Sequence, residues 1–198
     1  TAEKLRFIHP RGHYDTFVKE LRFSKEEFEA TADGLDVSTL NMKESDLAAL
    51  KIAKDPKAIA LLHQWEKGNG FKKISRDAVL AASSIGILSM TSHDPLAYLH
   101  AGKALERVWL QANHRNISLQ PVSQFIFLNE LLSADNSAFN THEQEELKEM
   151  AAKFDDVLGL GKNRYPVFIF RLTLSEAPAN RALRRPLSKQ LFIHNTTI

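Results

Sequence analysis

A chain of 198 residues can bury a sizeable core, and 43% hydrophobic with 25% charged residues is the make-up of an ordinary soluble globular protein. No apolar run approaches the ~18 residues of a membrane span, and the lack of cysteine excludes disulfides, thiolate metal sites and cysteine nucleophiles while fitting a reducing, cytoplasmic setting. The net charge of +2 is uneven: from residue 161 onward seven basic residues face one acid, a local +6, so the other 160 residues carry −4 and the C-terminal segment becomes a candidate anion site.

The chain opens on Thr rather than Met, with no basic-then-apolar leader, as expected of a processed protein or a piece of a longer one. Tyr14, Phe17, Val18 and Leu21 fall at helical spacing within residues 12–22. Ser24 to Glu27 reads as a capping box for a second short helix, closed by Asp33-Gly34. Residues 45–53 and 56–67 follow as helices, the second started by Asp55-Pro56 and stopped by Gly68-Asn69-Gly70. Ile85 to Met90 is a short apolar run suited to a buried strand. Asp94 as N-cap and Pro95 at the first helical position begin a helix with Tyr98, Ala101, Leu105, Val108 and Ala112 on one face. Its small residues Ala101, Gly102 and Ala104 allow a neighbour to approach closely, and a polar turn over Ser118 to Ser123 follows it. Phe125 to Leu128 suits a strand or a helix. Thr141 to Gln144 reads as a capping box for a helix ending at Gly159, with Leu147, Met150, Ala151, Phe154, Val157 and Leu158 inward. Tyr165 to Leu174 is the strongest strand, rich in β-branched and aromatic residues. Two or three strands among many helices make a single helix-rich α+β domain over residues 1–198. So few strands imply that others lie outside the chain.

The chemistry is sparse. His9 and His13 are the only histidines four apart, and Pro10 breaks the helix they would need, so no metal site is expected. Gly159-Leu-Gly161-Lys162 lacks the Ser/Thr of a phosphate loop and ends a helix where such a loop begins one. Arg171, inside an apolar strand, calls for a salt bridge to an acid within residues 143–156. Arg181, Arg184 and Arg185, in a proline-stiffened segment, offer planar donor forks suited to one phosphate or carboxylate. No aromatic residues interleave with these arginines, which argues against nucleic acid.

Three stretches, in order, carry a resemblance: KELRFSKEEFEATADGLDVSTLNM, AASSIGILSMTSHDPLAYLHAGKALERVWLQANHRNISLQPVSQ and YPVFIFRLTLSEAPANRALRRPL. Together they resemble the second half of a divergent nitroreductase-like domain. Such domains occur alone, as in the mycobacterial-type degenerate nitroreductases, or fused to a ThiF-type (E1-like) adenylating domain. The resemblance implies an α+β flavoprotein fold with a small mixed sheet, completed by a homodimer partner or by the missing N-terminal half of the same protein. It implies FMN as cofactor, with hydride passing from NAD(P)H to the flavin and on to a quinone or nitro acceptor. Arg184 and Arg185, supported by Arg181, stand where the family contacts the FMN phosphate. Thr91, in the turn ending at Asp94, and Gln120, Pro121, Val122 and Ser123 stand where it lines the flavin. The family's motifs near the start of the domain are absent from this chain. The alternative reading is a non-catalytic flavin-binding or interaction module attached to an adenylating domain. Membrane and nucleic-acid partners are not expected.

Overall fold

A computed structural model describes residues 2–8, 18–40, 42–161, 163–176, 180–182 and 187–191. Arg184, Arg185, His9, His13 and residues 12–17 of the first expected helical stripe lie outside them. In chain order the elements begin with α1 (Ala2–Ile8), β1 (Leu21–Arg22), α2 (Lys25–Thr31), β2 (Leu35–Asp36), α3 (Glu44–Ile52) and α4 (Pro56–Gln64). They continue with α5 (Asn69–Leu80), β3 (Ser84–Met90), α6 (Pro95–His114), β4 (Ile117–Pro121), α7 (Gln124–Ala134), α8 (Thr141–Leu158) and β5 (Tyr165–Leu174). The class is α+β. Two compact units share the chain, one of residues 1–14 and 59–176, the other of 15–58 and 177–198.

The larger unit is organised by β5. Its sheet has the order β3-β5-β4, with both outer strands antiparallel to the centre. This corrects the mixed sheet expected from the sequence: parallel pairing among the described residues is confined to the short β1–β2 pair of the other unit. Proline at 166 donates no hydrogen bond. The β3–β5 register accordingly shifts there, from Leu88 opposite Phe168 to Ser89 opposite Pro166, which leaves Val167 as the extra residue of a bulge.

Side chains alternate along β5. Phe168, Phe170 and Leu172 join Leu105, Trp109 and Ala112 of α6 and Leu119 of β4 in one cluster. Val167 and Ile169, on the other face, are also buried. A second cluster joins Leu5 of α1, Leu128 and Leu132 of α7, Ala138 and Phe139 after it, and Leu147 of α8. Phe7 and Phe71 stack at 4.3 Å to join α1 to α5. Gly86 pairs with Phe170 across the ladder, and the Phe170 ring occupies the space that a Cβ at Gly86 would fill.

Asp94 caps α6 as its sequence requires: its Oδ1 accepts from the Ala97 amide at 2.8 Å, and Pro95 takes the first turn. That hydrogen bond, with help from Ser92, holds the Asp94 carboxyl below its usual value. A lowered folded-state pKa contributes stability above the unfolded value, and that stability is lost as pH falls through the folded one. Asp94→Asn should therefore show a smaller drop in thermal unfolding midpoint than the parent between about pH 6 and about pH 3. Equal drops would contradict the cap's electrostatic role.

Several boundaries differ from the sequence reading. Gly68-Asn69-Gly70 does not stop a helix reaching residue 67. Helix α4 ends at Gln64, and Gly68, at φ 94, turns the chain into α5. A Cβ at Gly68 would also press on Ile8 at 3.0 Å. The left-handed cap of α2 is Ala32, at φ 51, ahead of Asp33-Gly34. The capping box of α8 is Asn140 with Glu143, one residue earlier than expected, because the Asn side chain reaches the Glu143 amide. Val157, expected inward on α8, is 81% exposed. On α6 the buried row is Ala97, Ala101 and Ala112, whereas Tyr98 and Val108 are exposed, and Gly102 faces open space. Residues 118–121 lie in β4 rather than in a turn, and Phe125 to Leu128 are helical.

In the smaller unit residues 18–20 are helical and β1 pairs with β2. Arg22 binds Asp33 at 2.6 Å and the Lys19 carbonyl at 2.6 Å. Leu21, Phe28, Val37, Leu50 and Ala53 are buried.

Candidate functional site

The residues expected to wall a ligand divide between the two ends of the sheet. Met90, ending β3, pairs with Tyr165, so Thr91 stands beyond the first residue of β5. Gln120 and Pro121 pair with Arg171 and Phe170, which lie five and more residues further along that strand. At ~3.4 Å per residue this puts about 17 Å between Thr91 and the Gln120-Pro121 end. The structure does not bring them together.

At the far end Ile85, Arg171 and Gln120 sit abreast on β3, β5 and β4. Arg171 lacks the expected carboxylate partner. Its Nε donates to the Gln120 amide oxygen, and its Nη1 donates to the Ala78 carbonyl in the last turn of α5, at 2.8 Å. The negative end of the helix dipole stands in for an acid. A guanidinium has five N–H donors, so those on Nη2 remain available beside the sheet. Ile85, opposite Arg171 on β3, lines a cleft of about 200 Å³ together with Glu3, Ser75, Val79, Val122 and Gln124. Glu3 pairs with Arg6 at 3.2 Å through Oε1, while its Oε2 is buried with no hydrogen-bond partner. Burial raises the Glu3 pKa above the usual carboxylate value, and Arg6 opposes that rise.

Ser123 faces inward, whereas Val122 lines the cleft and turns only its backbone amide inward. The Val122 amide donates to the Ile169 carbonyl at 2.8 Å. The Ser123 hydroxyl donates to the same carbonyl at 3.0 Å and accepts the Ile169 amide at 2.9 Å, with the residue only 2% exposed. Where β4 has ended, this hydroxyl takes over the role of a strand. Ser123→Ala would orphan the Ile169 amide and should cost about 2 kcal/mol in denaturant unfolding. A loss under about 0.5 kcal/mol would show that the amide finds another partner.

The near end carries a cluster whose partners are not legible from spacing along the chain. His93, inside the Thr91–Asp94 turn, places Nε2 at 3.0 Å from Glu130 Oε1 of α7 and 2.9 Å from the Tyr98 hydroxyl of α6. The Tyr165 ring lies 5.5 Å from the His93 ring. Tyr98 has a raised pKa, first from burial and then from Glu130. Tyr98 lies close to His93 in sequence, but nothing in the sequence marks Glu130 as its partner.

Arg181 is exposed in the smaller unit, where the neighbouring Asn180 side chain donates to the Ser38 carbonyl at 3.1 Å. Arg184 and Arg185 lie outside the described residues. Among the described residues no group of three or more His, Asp or Glu could hold a metal ion, and no helix is long and apolar enough to cross a membrane.

No protein family and no solved structure matches the chain. Over 184 residues, 93% of its length, the chain is 27% identical to the uncharacterized protein MT1398 of Mycobacterium tuberculosis (strain CDC 1551 / Oshkosh). It spans about a quarter (25%) of that curated relative.

Proposed function

We propose that the chain is the second half of a nitroreductase-like domain that works as an FMN-dependent oxidoreductase, taking hydride from NAD(P)H and passing electrons to a quinone or nitro acceptor. The observation that carries this reading is Arg171, fixed on the sheet by Gln120 and the Ala78 carbonyl and paired across the ladder with Ile85, which lines the cleft. Bound FMN would supply the hydride-accepting ring, whose electronics depend on charge and donors set around it. Arg171 and Gln120 are the donor set this chain offers at the ring's edge. A cleft of about 200 Å³ admits one edge of a tricyclic ring rather than the whole cofactor. The outer strands β3 and β4 each pair only with β5 among the described residues, which leaves edges for a second copy or an N-terminal half to complete.

The chain should acquire a yellow absorbance band near ~450 nm with added FMN, and NADH or NADPH should bleach it. Arg171→Gln should weaken FMN binding at least ~10-fold, about 1.4 kcal/mol, the scale of one charge-assisted hydrogen bond. A protein that stays colourless with excess FMN, or an Arg171→Gln variant that binds it equally well, would count against the reading.

The second reading is a flavin-holding or interaction module attached to a ThiF-type adenylating domain. The match to a quarter of a much longer protein favours it, since the remainder has room for other domains. Colour without bleaching would select it.

A further inference from the structure

Between the C-terminal half of α6 and the sheet lies a cleft of about 360 Å³, away from Arg171, that the proposed function does not use. Its lining falls into two rows. Arg107 and Gln111 of α6 and Arg115, which caps its C-terminus, succeed one another at steps of four, along one edge of the helix and its end. Val108 and Ala112 form the next row, and Ile117 of β4 and Leu172 of β5 complete an apolar floor over the cluster that holds α6 to the sheet.

Both arginines are exposed, and neither guanidinium has an ion pair or hydrogen bond among the described residues. This contrasts with Arg6, paired to Glu3, and Arg22, paired to Asp33. Among the described residues no acid lines the cleft. Adjacent helical turns put Cβ atoms about 5–6 Å apart, so the two guanidinium groups can flank a single group set over the Gln111 amide. Planar donor forks on both sides match a carboxylate. The floor beneath offers no polar partner and favours an apolar body.

We propose that this cleft binds a small amphipathic carboxylate, its head held by Arg107 and Arg115 with Gln111 between them and its hydrocarbon laid on Val108, Ala112, Ile117 and Leu172. A dry cavity of ~150 Å³ accepts a six-carbon ring, so about 360 Å³ takes a body of roughly twelve carbons. Medium-chain fatty acids are of that size. The site is independent of flavin binding.

The test is calorimetric titration of the chain with decanoate and, separately, with decylamine, which has the same hydrocarbon and the opposite charge. Decanoate should bind saturably at one site, and decylamine at least ~10-fold more weakly, because an ammonium set between two guanidinium groups is repelled by both. Arg107→Gln with Arg115→Gln should weaken decanoate at least ~10-fold, while Lys103→Gln, on α6 but outside the cleft, should leave it unchanged. All three positions are exposed, so folding is not at stake. Equal affinity for the two amphiphiles, or an unchanged double variant, would overturn the proposal. So would absence of decanoate binding in a chain that sediments as a dimer and becomes a monomer when both arginines are replaced, since the cleft would then be an interface between copies.

Discussion

Gly86→Val is expected to lower the unfolding free energy of the larger unit by about 3 kcal/mol, the upper range for adding atoms to a filled core. The backbone of Gly86 is ordinary extended strand, so the cost does not come from a conformation only glycine can adopt. It comes from Phe170, directly opposite on β5, whose ring lies over the Gly86 Cα. Phe170 cannot swing aside cheaply because it packs with Ala112 and Leu119. Urea unfolding should show a lower midpoint at unchanged slope. Placing Gly86→Val in a Phe170→Leu background should recover part of the loss, because the clash and the ring disappear together. A midpoint within error of the parent, or a double variant that is strictly additive, would reject the ring-over-glycine account.

Leu147→Ala should cost about 3–4 kcal/mol. Leu147 is 0% exposed and sits where Leu5, Leu128, Leu132 and Phe139 meet, so the hole is lined by α1, α7 and the segment between α7 and α8. Helix α8 is fixed at its start by the Asn140–Glu143 box and by a 3.3 Å contact between Glu143 and His63, and so cannot slide to fill the gap. Leu147→Met, which conserves volume, should cost less than about 1.5 kcal/mol. Two variants of equal stability would show that the cluster relaxes freely.

Where one local rule governs, the sequence was readable. Asp94-Pro95 starts α6, Gly159 closes α8, and the β-branched and aromatic run at 165–174 forms the central strand. Where two rules compete, it was not. Gly68-Asn69-Gly70 is a stop signal by composition, yet Gly68 serves as the turn into a further helix because its φ and its closeness to Ile8 suit glycine alone. Ser118 to Pro121 look like a turn because they are polar, but an edge strand tolerates polar residues and a terminal proline. Asn140 and Thr141 are both good caps, and only side-chain geometry chooses between them.

The candidate sites were harder still to foresee, since each depends on partners distant in sequence. Arg171 was expected to find an acid; its partners are a glutamine 51 residues earlier and a carbonyl 93 residues earlier. Ser123 was expected to meet a ligand and instead completes the sheet. His93 and Glu130 are 37 residues apart.

The strand order has a consequence for how the molecule is made. The central strand β5 is the last of the sheet to be synthesised, and β3 and β4 must wait for Tyr165 to Leu174 before they meet the strand that joins them. A ribosome adding ~5–20 residues per second holds β3 and β4 unpaired for several seconds. Throughout that interval their apolar edges are open to pairing with other chains. Chains released before residue 165 should aggregate, whereas those that reach Leu174 should not, and the boundary between the two behaviours should fall within β5 itself.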